Sequence, residues 1–336
     1  MSFPSPVGGV PLQSDLAPSI LFAVLYGLLA PLVFYRLYDR RSRTLLLLGT
    51  MIFAIERIVI FSLRAVQSRD VERRLNGGLA IYMQVSFNTG FIGIASDLVN
   101  IIRCLLVNPT YGLERFPESP AASTKECYLA PPEEGEEDHA RERFWARRFA
   151  EFTGLAFLSA VVPGIVANSS YDKTFNDPSR AQRTYTLRYA SSGVALFLTI
   201  VLVLAAAWSK CMQKRAGKRG FVVISLLSFL VGIIACYRLS VMHNTTTALD
   251  STAPGSLNTP GAKAAFYVLH VLPEWLVSAI LLGCNVRKTF GTGMFGDWRG
   301  HDETPKEKAS REKSEARRAE RKQRKLQLEG REKGPV

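Results

Sequence analysis

Side chains suited to covalent or metal chemistry are scarce in this 336-residue chain, which has five cysteines and four histidines. Cys104, Cys127, Cys211, Cys236 and Cys284 fall within apolar runs or on the inner side of them, so no pair is placed to form an outer disulfide. His270 is the one histidine inside an apolar run, and no Cys or His lies near it in sequence, which leaves no metal-ligand spacing. A phosphate-cradling glycine loop is missing, and so is a nucleophile beside a base. Neither an enzyme nor a resident cofactor or metal is expected. Acidic residues are the minority, 29 against 42 Lys and Arg, for a net charge of +13. That excess sits in three pieces: residues 39–43 carry +2, residues 210–219 carry +5 and residues 306–333 carry +6. No domain is basic as a whole, which argues against a nucleic-acid partner.

The more telling absence is local. Seven stretches contain few or no charges, at 17–38, 44–63, 80–107, 149–168, 189–208, 221–242 and 264–286. Crossing a hydrocarbon core of about 30 Å takes roughly 20 helical residues at about 1.5 Å each. The sequence therefore predicts an all-α, polytopic integral membrane protein, a seven-transmembrane helix bundle with membrane lipids as its immediate partners. The fourth stretch is the weakest, because Glu151 sits in its first turn and Pro163 and Gly164 interrupt it.

Loop charges set the expected orientation. The first sixteen residues lack Lys and Arg, whereas the first loop, the fifth loop and the tail at 287–336 are basic. This places the N-terminus outside, as a short segment at 1–16 ahead of a true first span, and the C-terminus in the cytosol. Arg64, Arg69, Arg73 and Arg74 in the second loop oppose that assignment, as do Lys173, Arg180, Arg183 and Arg188 in the fourth. Acceptor triplets for N-glycosylation at Asn168 and Asn244 both fall on the outer side and favour it. The loop at 108–148 begins with a stretch rich in Pro, Glu and Ser, expected to be disordered, and ends in ARERFWARRF, which suits helical turns entering the fourth span. The tail reads as a solvated helix able to contact anionic lipid or protein. Span length separates neither plasma membrane from endomembrane.

Ionisable residues within spans cost about 2.5 to 3.5 kcal/mol each at a helix centre, so they mark candidate sites. Glu56 and Arg57 lie past the middle of the second span, Asp97 in the inner half of the third, Arg238 in the outer part of the sixth, and His270 and Glu274 near the middle of the seventh. Tyr267, His270, Glu274 and Ser278 recur at spacings of three and four, giving the seventh helix one polar face. Pro273 beside them frees a backbone carbonyl one turn earlier. A lone buried carboxylate protonates, so Glu274 is expected to pair with Arg57 or Arg238 in a cavity opening outward. Such a pair serves either as a ligand or proton site or as a fixed register between helices. Ser228, Gly232 and Cys236 form a small-residue stripe suited to close helix packing.

Seven helices invite comparison with retinal proteins and receptors, but no lysine sits mid-way along the last stretch, Lys263 preceding it and Lys288 following it. The third stretch ends NIIRCLLV and the seventh contains LPEWL, neither of which is a class A receptor motif. Glu56 with Arg64, Tyr237 with Arg238, and FYVLHVLPEW at 266–275 carry a different likeness. On these patches and on overall layout the chain resembles uncharacterised fungal seven-helix membrane proteins, distantly similar to the lipid-translocating exporter group associated with 7-aminocholesterol resistance. The resemblance implies export or flipping of amphipathic lipids or sterols. Transport or sensing of an amphipathic small molecule through a polar cavity is the expected function, with a signalling receptor and a membrane scaffold as alternatives.

Overall fold

The structure, a computed structural model, describes residues 2–332. It divides into two compact units, Met1–Trp298 and Arg299–Val336. Among the described residues, seven helices are long and apolar enough to cross a membrane: α1 (Gln13–Tyr38), α2 (Leu45–Arg69), α3 (Gly77–Thr110), α4 (Ala140–Ser169), α5 (Pro178–Met212), α6 (Lys218–Val241) and α7 (Pro260–Gly283). The only strands among those residues are β1 (Phe3–Pro4) and β2 (Thr245–Thr246), paired antiparallel with Phe3 opposite Thr246.

Local chemistry sets the helix ends. Asp177 accepts from the backbone N–H groups of Ser179 and Arg180 and is followed by Pro178 at the first helical position, which starts α5 eleven residues ahead of its apolar run. Thr259 with Pro260 starts α7 in the same way, and Asn76 caps α3. α1 is jogged between Gly27 and Ala30, where Pro31 cannot donate to the preceding turn. In α7 the turn Tyr267–Val271 widens to a π-turn, with Leu272 N–H bonded to Tyr267 O. The missing N–H of Pro273 is absorbed in that wider turn.

α3 is the most buried of the seven and packs against α2, α4, α5, α6 and α7. Its residues Phe87, Phe91, Leu98 and Ile102 meet Phe61, Ile234, Val277 and Leu281 in one continuous core. The flanks are apolar too: Phe152, Leu155, Phe197, Leu204 and Phe229 are exposed, while among the described residues seven arginines, Arg36, Arg57, Arg64, Arg143, Arg147, Arg188 and Arg238, are buried. A soluble protein arranges these classes the other way round. Apolar flanks around a charged interior fit a helix bundle in lipid.

Four expectations from the sequence need correction here. α4 runs unbroken through Pro163 and Gly164, because Gly164 is a contact point and not a break. A Cβ there would overlap Asn88 Nδ2 and lie 2.7 Å from Ser191 Oγ. Gly164→Ala is expected to cost about 1–3 kcal/mol by overpacking, read as a lowered melting temperature in detergent. The small-residue stripe of α6 is not a close crossing either, since nothing lies within 4 Å of a Cβ built at Gly232. It borders an open groove with Leu196, Thr199 and Val203 of α5.

The loop at 108–148, expected to be partly disordered, is folded against the helix ends. Asn108 donates to Phe290 O and Gly291 O at 2.8 and 3.1 Å, and Arg215 donates to Tyr111 O and Pro109 O. Arg143 of α4 grips Asp138 through both carboxylate oxygens at 3.0 and 2.7 Å and lies 4.2 Å from the centre of the Tyr111 ring. Partial burial pushes the Asp138 carboxyl up, but the Arg143 and Gly112 hydrogen bonds outweigh it and hold the group below its ordinary value of 3.8. The carboxylate is thus stabilising above its unfolded pKa, and that contribution is lost as pH falls through the lowered folded value. The melting temperatures of the wild type and Asp138→Asn are expected to differ by a constant amount near neutrality and to converge as pH drops below about 4.

The tail boundary also moves. A short helix α8 (Val286–Phe290) buries Phe290, and Asp297 is buried beside it. Residues 287–298 therefore belong to the bundle and not to the tail, and they include a buried carboxylate. In the second unit, α9 (Pro305–Glu332) is a single helix whose described side chains are mostly exposed, as its charge pattern predicts.

Candidate functional site

The polar face of α7 turns inward, with Tyr267, His270, Glu274 and Ser278 all buried. Glu274 meets Arg57 of α2 in a two-pronged pair, Nε to Oε2 and Nη2 to Oε1, both at 3.0 Å. Arg57 also donates to Ser86 Oγ of α3 at 2.6 Å, to Ser86 O at 3.2 Å and to Glu56 Oε2 at 3.1 Å. Ser86 Oγ in turn donates to Glu56 Oε1. The guanidinium lies 4.2 Å from the Phe53 ring centre. It fits because residue 90 is glycine: a Cβ there would collide with Arg57 and Phe53.

Arg238 is the other candidate partner for Glu274, and the structure assigns it elsewhere. It donates to Asn88 Oδ1 at 2.7 Å, Phe87 O at 3.2 Å, Ser192 Oγ at 3.4 Å and His270 Nε2 at 3.4 Å. An arginine has no acceptor, so His270 Nε2 must supply the lone pair and the ring proton sits on Nδ1. That Nδ1 lies 3.8 Å from Glu274 Oε1 and has no hydrogen-bond partner. His270 thus stands between the two arginines, one ring nitrogen on Arg238 and the other facing the carboxylate that Arg57 holds.

Glu274, Arg57, His270 and Arg238 are each at most 1% exposed, so the expected opening is closed. The end of the bundle carrying the N-terminus, where that opening was placed, is filled by Phe3–Val10, all buried. Polar contact with the outside runs sideways instead, through Glu56, whose side chain is 30% exposed midway along α2. A separate cleft of about 740 Å³ between α4 and α5, lined by Trp145, Phe149, Leu204 and Trp208, includes none of these charged groups.

Asp97 does not join the site. It accepts from the backbone N–H and the hydroxyl of Thr50, both at 2.7 Å, and clasps α3 to the start of α2. Arg103 of α3 bonds Asp297 at 3.2 Å and Glu151 at 3.6 Å. Asn168 is contradicted as a glycan acceptor: it is fully buried, accepts from Arg188 Nε at 2.8 Å and donates to Gly164 O at 2.7 Å. Asn244 is only part-buried and stays compatible with modification.

The sequence reading missed a second layer of buried charge nearer the N-terminal end. Asp15 pairs with Arg64 at 3.1 Å and Lys263 at 2.8 Å and accepts from Tyr267 OH at 2.9 Å. The signal was present: Lys263 lies four residues before Tyr267 and extends the same face of α7 by one turn. Its position at the helix start made it look like a loop charge.

Seven apolar helices enclosing a charged core suggest a multi-pass integral membrane protein. No known family model matches the chain, and neither the curated proteins nor the solved structures contain a match.

Proposed function

We propose that this chain translocates or senses an amphipathic small molecule or lipid, without covalent chemistry, by admitting its polar group to the Arg57–Glu274 pair. The observation that carries the reading is the lateral connection. A half-buried carboxylate, Glu56, stands mid-way along an apolar span and is hydrogen-bonded through Arg57 to a fully buried one, Glu274. A pair that only fixed helix register has no need of a second, partly exposed acid, which itself is costly to hold at that depth. A polar headgroup arriving from the bilayer meets Glu56 first, then exchanges hydrogen bonds with Arg57 while its apolar part stays in lipid.

In this reading the N-terminus lies outside and the C-terminus in the cytosol. Two of the arginines that opposed this orientation, Arg64 and Arg188, are buried inside the bundle and leave the loop count. The basic tail is assigned contacts with anionic lipid or protein on the cytosolic side. The likeness to the lipid-translocating exporter group agrees with this reading. The membrane is either the plasma membrane or an endomembrane.

Glu274→Gln separates the readings. The purified protein is reconstituted into vesicles, and inward movement of fluorescent phosphatidylcholine and fluorescent sphingosine is followed by dithionite quenching. The wild type is expected to move at least one of these probes, and Glu274→Gln to lose that movement while keeping its melting temperature within a few degrees. A wild type inactive on both probes defeats translocation and leaves sensing, and a Glu274→Gln protein that retains the wild-type rate removes the pair from the site and leaves it a structural role.

A further inference from the structure

The N-terminal end of the bundle is closed by the chain itself. Residues Phe3–Val10 are all buried although the segment has no helix. Its backbone oxygens are held by side chains from α2, α3, α5, α7 and the loop after α4. Tyr171 OH donates to Pro4 O at 2.7 Å, Arg188 Nη1 to Ser5 O at 3.2 Å, and Gln84 Nε2 to Val7 O at 3.1 Å. Arg64 Nη2 and Lys263 Nζ both donate to Gly8 O, at 3.2 and 3.1 Å, and Lys263 also to Val10 O. The N–H groups of Val7 and Val10 are accepted by Gln84 Oε1 and Asn258 Oδ1, each at 2.9 Å.

The donors are overcharged for what they hold. A carbonyl oxygen is neutral, yet three of these five donor side chains are cations. Asp15 is the one carboxylate within 4.0 Å of any of them among the described residues, and it serves Arg64 and Lys263. Arg188, 2% exposed, has Asn168 Oδ1, Ser5 O and Gln84 Oε1 for acceptors and no acid. Burying a cation against neutral acceptors alone leaves most of its desolvation cost unreturned. Arg64 and Lys263 converge on Gly8 O and Arg188 reaches Ser5 O, three residues earlier in the same segment, and guanidinium and ammonium groups are the donors that bind the oxygens of a phosphate.

We propose that this cradle is a binding site for a phosphate-bearing anion and that Phe3–Val10 is its tethered occupant, displaced when the anion enters. The segment is built to leave as a piece. Beyond the side-chain contacts, its backbone pairing is the two-residue ladder with β2 and the bond from Ser5 N–H to Asn244 O at 3.0 Å, and it turns at Gly8 and Gly9, both at positive φ (+78° and +60°). Both also approach their neighbours closely, since a Cβ at Gly8 would lie 2.7 Å from the Phe266 ring and one at Gly9 2.3 Å from Asn258 Oδ1. The assignment is independent of lipid movement through the Arg57–Glu274 pair.

A cysteine staple tests it in the full chain. Phe3 and Thr246 are register partners, and facing residues on antiparallel strands lie within disulfide reach, so Phe3→Cys with Thr246→Cys locks the segment when oxidised and frees it when reduced. Binding of dihexanoyl phosphatidic acid, dihexanoyl phosphatidylcholine and inorganic phosphate is measured by calorimetry in a neutral detergent. The reduced protein is expected to bind phosphatidic acid about tenfold more tightly than the oxidised one, with no such difference for phosphatidylcholine. Inorganic phosphate showing the same staple dependence assigns the site to phosphate itself, and dependence confined to phosphatidic acid assigns it to a lipid headgroup. Lys263→Gln without the staple is expected to weaken phosphatidic acid binding several-fold and keeps the Arg64–Asp15 pair for folding. Equal affinity of oxidised and reduced protein, or an unchanged Lys263→Gln affinity, overturns the proposal.

Discussion

Replacing Arg57 with methionine is expected to lower stability by about 3–5 kcal/mol, the range for breaking a buried pair from one side, whereas Glu274→Gln costs much less. The asymmetry follows from who else is present. Arg57 without Glu274 keeps Glu56 at 3.1 Å and the Ser86 hydroxyl and carbonyl. Glu274 without Arg57 has no Lys or Arg within 4.0 Å among the described residues, and its remaining neighbour is His270 at 3.8 Å. His270 holds its Nε2 lone pair toward Arg238, so it stays a neutral ring and gives no compensating charge. Thermal unfolding in detergent checks the order. The double variant Arg57→Met, Glu274→Met removes both charges and is expected to recover most of the lost stability, because well-packed apolar side chains commonly replace a buried ion pair at no net cost. It recovers no lipid movement if the pair is the site for a polar headgroup. Stability and movement returning together in the double variant would reduce the pair to a structural role.

That distinction is also where the sequence stops being informative. The face Tyr267, His270, Glu274, Ser278 was legible because helical spacing fixes which side chains share a face, and lipid cannot accept them. Arg57 and Arg238 were equally good partners on paper, since both sit at a similar depth on neighbouring spans. What separates them is Gly90, which leaves room for the Arg57 guanidinium, and Asn88, which occupies Arg238. Neither effect has a periodic signature. The N-terminal segment was opaque for a different reason. Phe3–Val10 has no helical or strand alternation, and its order comes from side chains 56 to 255 positions away in sequence. Arg64, Arg188 and Lys263 were each read as loop charges because the apolar runs end before the helices do. α2 continues to Arg69 and α5 begins at Pro178, so all three lie inside helices and inside the bundle. Asn168 shows the converse, a three-residue acceptor pattern that reports nothing about burial.

The strongest test of the bundle's other end is Asp297→Ala, which removes the carboxylate shared by Arg147 and Arg103. Asp297 accepts from Arg147 Nε and Nη2 at 2.8 and 3.1 Å and from Arg103 Nε at 3.2 Å. Arg103 retains Glu151 at 3.6 Å. Arg147 is 1% exposed and also donates to the Tyr111 hydroxyl at 3.0 Å. The expected result is a lowered melting temperature in detergent, since a buried carboxylate that accepts three charged hydrogen bonds is lost. It should appear together with release of the 108–148 loop, because Tyr111 also carries the stacked Arg143 and the Arg215 bond. Limited proteolysis within residues 112–137 reads that release directly. A protein that tolerates Asp297→Ala would mean that Arg147 is stabilised by something other than this carboxylate, and that residues 287–298 are tail after all.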